Sequence, residues 1–436
     1  MSTARLILIA ASLSFLAAFA ALSLGAGDKD APRPADDAAM RLGALRPGSS
    51  TDARIARQQA VVRAAPRDPD RYTLLAAAYL QKVRETGDGS LYLRADAALA
   101  RALALSPDNA AALTERAALR LARHDFRAAL SDGRRAHALT PELVRPYGVL
   151  VDAYVELGRY GRAARTLQRM IDLKPDLAAY ARVSYFRELH GDLAGAMEAM
   201  RLAVAAGGGA PENTAYVGTL LGNLQFARGK LAAAERSYRD ALMRFPRYVP
   251  ARAGLARVDA ARGELQSAAR TLRGVVAQLP LPEYVVALGE TELAAGRPAQ
   301  AARDLDLMRA QQALLRTGGV NTDIEVAQFE ASHGDPERAL AIARRGWAAA
   351  PSVRSADALG WALTRSGKPR QGLAWGRRAL ALGSRDPLFL FHAGIAARDA
   401  GRPDLARRWL ARALADNPRF SPLWAPRAKR ALEGLG

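Results

Sequence analysis

Between Pro141 and Pro175 the chain reads PELVRPYGVLVDAYVELGRYGRAARTLQRMIDLKP, and its apolar positions fall at helical spacing twice over. Tyr147, Leu150, Val151 and Tyr154 recur at intervals of three and four, which places one apolar face on a 3.6-residue period. Gly158 follows, the residue type best able to take the left-handed conformation that ends a helix. A second stripe runs through Ala163, Leu167 and Met170 until Pro175, whose ring stops a helix from running on. The segment predicts two amphipathic helices joined by a tight turn. Such a module cannot bury its apolar faces alone and must stack on neighbours.

The module repeats. Pro107, Pro141 and Pro175 stand 34 residues apart, followed by Pro211, Pro246 and Pro280 at 36, 35 and 34, and then by Pro351, Pro387 and Pro418. A small residue recurs in the second helix as Ala129, Ala163, Ala196, Ala234, Ala268, Ala301, Ala339 and Ala406. The turn glycine recurs as Gly158, Gly191, Gly229, Gly263, Gly296, Gly334, Gly367 and Gly401, and a Leu-Gly pair as Leu221-Gly222, Leu288-Gly289 and Leu359-Gly360. Three places depart from the pattern. His124 stands where the turn glycine belongs, Gly372 replaces the packing alanine, and the first unit carries an insertion around ETGDGS.

These positions in register resemble the tetratricopeptide repeat family. The resemblance implies an all-α fold, a right-handed α-solenoid of about ten helix–turn–helix repeats with a long concave groove. It divides the chain into an N-terminal capping helix at 51–66, an array over 67–420 and a C-terminal capping helix at 421–436. Composition agrees: half the residues are apolar but only 6% are aromatic. Alanine, the best helix former, dominates and lets backbones approach.

Residues 1 to 26 read as an address. Arg5 precedes an uncharged run from Leu6 to Ala26, long enough either to be a cleaved signal peptide or to remain as a membrane anchor. Both versions place the rest of the chain outside the cytoplasm, whether secreted, periplasmic or anchored, and imply a bacterial exported member of the family. Residues 27–50, rich in Pro, Gly, Asp and Ala, read as a flexible linker. Cysteine is absent, which excludes disulfides, thiolate metal sites and a cysteine nucleophile.

Catalysis finds no constellation. GWALTRSGKPRQGLAWGRR, residues 360–378, superficially resembles a phosphate loop. It lacks a preceding strand, has six residues between its glycines, and puts Pro369 after the lysine. In register, Gly360 is the small helix-contact position and Gly367 the turn glycine. Of the five histidines, His124, His190 and His333 fall at ends of first helices, where a cation complements the helix dipole. No spacing assembles a metal site, so the expectation is a chain that is not an enzyme and needs no metal or cofactor.

The groove offers the better candidate site. The residue after the small position of each first helix should face it, giving Asp152, Tyr185, Asn223, Arg257, Glu290, Gln328 and Trp361. This row could hydrogen-bond a partner peptide or helix. The expected function is a non-catalytic scaffold or adaptor for protein partners. An alternative comes from the formal charge of +20, of which residues 336–436 supply +12 from 19 basic and 7 acidic residues. All five tryptophans also lie in that third. It reads as a binder of an anionic envelope polymer or membrane surface, with nucleic acid disfavoured by the export signal.

Overall fold

The computed structural model describes residues 50–207 and 211–435. The proposed address at 1–26 lies outside them, as does nearly all of the linker. Among the described residues no helix is long and apolar enough to cross a membrane.

Twenty-two helices and no strand make up the described chain. α1 is Thr51–Ala64, and ten pairs follow it. The first five pairs are α2 (Pro69–Thr86) with α3 (Ser90–Leu105), α4 (Ala110–Ala122) with α5 (Phe126–Leu139), α6 (Val144–Glu156) with α7 (Tyr160–Leu173), α8 (Leu177–Leu189) with α9 (Leu193–Ala206), and α10 (Pro211–Ala227) with α11 (Leu231–Arg244). The next three are α12 (Val249–Arg262) with α13 (Leu265–Gln278), α14 (Pro282–Ala294) with α15 (Pro298–Thr317), and α16 (Asp323–His333) with α17 (Pro336–Ala349). Last come α18 (Val353–Arg365) with α19 (Pro369–Ala379), α20 (Pro387–Asp399) with α21 (Pro403–Asp416), and then α22 (Trp424–Glu433). Each helix from α1 to α15 packs on the next, as does each from α16 to α22, so the chain is an α-solenoid.

Local chemistry sets the boundaries. Asp125, Asp176, Asp192 and Asp386 cap helix starts by accepting backbone N–H bonds. Pro298, Pro336, Pro369 and Pro403 open second helices, where a missing N–H leaves nothing unsatisfied. The eight recurring alanines of the second helices are all fully buried, because each lies where its helix crosses its partner. Gly372 breaks that series for a visible reason: a Cβ there would stand 2.2 Å from Thr364 Oγ1 and 2.9 Å from the Gly360 carbonyl oxygen. α18 and α19 approach too closely for alanine. Gly334 also departs from its series, since its φ is −129° and its turn is not left-handed.

The coil closes on itself. The turn inside each of the first five units touches a connection about 192 residues later. Gly87 meets Leu279 and Gly158 meets the Pro351 carbonyl oxygen. Gly191 meets the Gly383 carbonyl, and Asn417 Nδ2 donates to the Phe226 carbonyl at 2.7 Å. Unit 2, the one without a glycine, makes the same contact by another route. His124 holds φ +58°, the only non-glycine residue with positive φ among those described, and its Nδ1 lies 2.7 Å from the Asn321 carbonyl oxygen. The Asn321 N–H in turn donates to the Arg123 carbonyl. At about 35 residues per unit, this register puts about five and a half units in one superhelical turn, with the second turn seated on the first.

The closure separates two kinds of turn glycine. A Cβ on Gly158 would lie 2.2 Å from the Pro351 oxygen and one on Gly191 2.3 Å from the Gly383 oxygen. Around Gly263, Gly296, Gly367 and Gly401, which have no later turn above them, nothing lies within 4 Å. Gly367→Ala therefore meets only the left-handed backbone penalty, about 1 kcal/mol. Gly158→Ala adds a clash with backbone that cannot swing aside, of the order of 1–3 kcal/mol more. Thermal unfolding should show Gly158→Ala melting clearly below Gly367→Ala, and equal melting temperatures would mean that the turns do not dock.

Candidate functional site: the lumen of the coil

The first helices of the pairs face inward. From α8 to α20 they surround a cavity of about 690 Å³, within the range of ligand-binding pockets. Tyr185 and Glu188 come from α8, Tyr216 and Asn223 from α10, and Arg257 from α12 with Tyr248 just before it. Glu283, Tyr284 and Glu290 belong to α14, Glu325 and Gln328 to α16, and Arg354 and Asp357 to α18. Phe389 and His392 of α20, with Trp424 at the start of α22, complete the ring.

Five members of the row expected from the sequence, Tyr185, Asn223, Arg257, Glu290 and Gln328, meet on this one cavity. Asp152 and Trp361 do not line it. Asp152 is 3% exposed and takes both arms of Arg182, with Nε at 3.0 Å from Oδ1 and Nη2 at 2.8 Å from Oδ2. Its carboxyl is pushed up to about 6, because burial outweighs the guanidinium beside it. Gly148 makes room for that guanidinium, since a Cβ there would stand 3.0 Å from Cζ. Trp361 is 2% exposed, lies face to face with His392 at 4.4 Å and donates from Nε1 to Ser332 Oγ at 3.0 Å. Both positions are core rather than groove surface.

The remaining row members are held by neighbours. Tyr238, itself buried between Gly222 and Gly254, donates its hydroxyl to Asn223 Oδ1 at 2.8 Å. A Cβ on either glycine would stand 2.5 Å from the Tyr238 ring. Arg257 lies over the Phe226 ring at 4.4 Å. Gln328 donates to Asp357 Oδ2 at 3.2 Å, and His392 Nδ1 lies 3.0 Å from the same oxygen. Glu290 accepts from Trp424 Nε1 at 2.7 Å and faces His333 Nε2 at 3.1 Å. The Trp424 contact draws α22 across the coil onto α14.

The histidines divide accordingly. His190 stays with its own helix, Nδ1 2.8 Å from the Phe186 carbonyl oxygen, while His124 bridges turns and His333 faces the lumen. No group of three histidines, aspartates or glutamates stands close enough to hold a metal among the described residues.

The sequence row omitted most of the lumen's charge. Arg354 lies 3.6 Å from Glu325 and also faces Glu156 of the first turn. Burial opposes its charge, but Glu156, Tyr185 and Glu325 more than offset this and raise its pKa. Burial pushes Glu188 up to about 7, helped by nearby Asp386. Glu283 keeps its side chain open to the lumen, yet the surrounding walls push it up as well, with Glu325 adding to the shift and Arg354 opposing it. Glu188 and Glu325 sit one turn, and Glu283 and Arg354 two turns, from the chosen positions on the same helices. Their signal in sequence was acidic residues recurring on first helices of a strongly basic chain.

Two stretches, residues 120–184 and 225–288, match the family model described as tetratricopeptide repeat. No curated protein matches. Among solved structures, a thermophilic TPR protein of Thermus thermophilus is 23% identical, over 42% of this chain and 95% of that one, with a TM-score of 0.37. A tetratricopeptide repeat protein of Parabacteroides merdae is 17% identical over 59% and 98%, at 0.35. The human IFIT1 dimer is 14% identical over 85% and 95%, at 0.44.

The raised Glu283 carboxyl has a consequence for stability. Its folded pKa of about 8 exceeds the ordinary 4.5, so the folded chain holds a proton that the unfolded chain gives up. The group's stabilising share is full below about pH 4.5 and is lost as pH rises to about 8. Glu283→Gln should match the parent's melting temperature at pH 4 and exceed it at pH 9. An equal difference at both pH values would show that the carboxyl titrates normally.

Proposed function

We propose that the chain, which matches the tetratricopeptide repeat model over residues 120–184 and 225–288, is a non-catalytic scaffold that binds a segment of a partner protein in its lumen. The single observation behind this reading is the convergence of first helices from seven units on one cavity with aromatic walls and polar groups held in place by buried neighbours. Such a surface recognises a ligand by shape and hydrogen bonding; no described constellation pairs a nucleophile with a base. The address at residues 6–26 supports placing this activity outside the cytoplasm, either anchored or free.

A photocrosslinking side chain at Asn223 or Gln328 tests the reading. Both positions should capture one and the same protein, and a third crosslinker on outward-facing Arg239 should not. Capture of different proteins at the two lumen positions, or of none, would remove the scaffold reading.

A second reading concerns the outer face. Arg344, Arg370, Arg377 and Arg412 are exposed on α17, α19 and α21, and no carboxylate lies within ion-pair distance of them among the described residues. That face would bind an anionic envelope polymer or membrane surface. Sedimentation with anionic vesicles should then fall steeply as salt is raised from low to well above physiological strength, and be lost when Arg370 and Arg377 become Gln. Retention in the variant would remove this reading.

A further inference from the structure

We propose that the lumen receives a cationic segment of a partner polypeptide, one that carries lysine or arginine between apolar or aromatic residues. This deepens the reading of the lumen as the binding surface and depends on it. Charge is the first argument. The chain carries +20 overall, yet six carboxylates line the cavity against three arginines. The arginines are already engaged: Arg354 between Glu325 and Glu156, Arg385 with Asp416 at 2.9 Å, and Arg257 over Phe226. Glu290, Glu325 and Asp357 are likewise engaged by Trp424, Arg354 and His392.

Glu188, Glu283 and Asp386 remain. Among the described residues none of them has a lysine, arginine or histidine within ion-pair distance. Glu188 faces Asp386 with no cation beside either, and Glu283 faces Glu325, where Arg354 offsets only one of the two carboxylates. An ammonium or guanidinium placed between them would replace repulsion with charge-assisted hydrogen bonds. The upward shift of half-buried Glu188, to which Asp386 adds, agrees with an acidic pair that no cation offsets.

The walls supply the second argument. Tyr216, Tyr248 and Tyr284 come from the beginnings or first turns of successive inner helices and all line the cavity. Each is at most 8% exposed, so what they contribute is apolar wall against which the aliphatic stems of lysine and arginine can lie. The two acidic sites also lie on different elements, α8 with the start of α20, and α14 with α16. An occupant must therefore carry its cations in series, and the apolar and aromatic walls between the two sites favour a polypeptide, whose side chains can fill them, over a thin methylene-linked polyamine.

The net charge makes the test sharper, because a +20 chain offers cations no long-range attraction as a whole. Random nonapeptides displayed on their encoding mRNA would be selected on the full-length chain. The same selection would run on a variant with Glu188→Gln, Glu283→Gln and Asp386→Asn, which keeps the cap at Asp386. The expected result is a lysine- and arginine-rich consensus from the parent. Its best peptide should bind at least tenfold more weakly to the variant, whose melting temperature confirms folding, and spermidine at millimolar concentration should not displace it. Neutral or acidic winners that compete with crosslinking at Asn223 would overturn the cationic assignment and leave the lumen reading standing. No enrichment at all, together with no capture at Asn223, would overturn both. Displacement by spermidine would overturn the polypeptide in favour of a small polycation.

Discussion

Everything distinctive about this molecule depends on the docking of one superhelical turn on the next. A solenoid whose units touch only their neighbours is an open, extended object, and its stability is a sum of local terms. Here the chain meets itself again about 192 residues later, five times in register. The contacts are small: a glycine against a carbonyl, a histidine nitrogen against another, an asparagine amide against a third. None would matter alone. Repeated with the same offset, they fix the curvature of every unit between them, because a change in the angle between two units would displace all later contacts together.

That closure turns a groove into a lumen. In an open coil the inner helices would face water, and Glu188 or Glu283 would ionise as surface carboxyls do. With the second turn seated on the first, inner helices of seven units surround one space, and the carboxyls share it with protein walls on all sides. The same geometry recruits α22, since Trp424 can reach Glu290, 134 residues earlier, only if the coil returns. Packing, charge and site are thus one arrangement.

The repeat was legible in the sequence because it rests on positions that tolerate few residue types. A buried helix crossing admits alanine, a left-handed turn favours glycine, and a helix stop uses proline, so Ala163, Gly158 and Pro175 announce themselves. Docking between turns leaves no such trace. Pro351 and Gly383 take part through carbonyl oxygens, which every residue has, and Gly158 looks the same as Gly367 although only one supports a second turn. His124 was the exception, a broken pattern that the structure explains as a bridge to Asn321. Register also misled at two points. It selects a direction on a helix but not what waits there, and at Asp152 and Trp361 buried Arg182 and His392 were waiting.

Net charge concealed the lumen for a related reason. A sum over the chain weights every residue equally, whereas a ligand weights those nearest to it by Coulomb's law and local dielectric. Arginines crowd the outer helices, where water screens them, and carboxylates hold the interior, where it does not. A carboxyl in such a place has two tolerable states: protonated when the lumen holds only water, ionised when a cation stands beside it. Glu188 and Glu283, shifted to about 7 and about 8, lie where either state is within reach near neutral pH. Each can therefore sit in the empty coil without its full charge and still meet a cation when one arrives. Asp152 differs in that Arg182 already occupies both of its oxygens, so although burial raises its carboxyl too, it has no face left for an incoming cation.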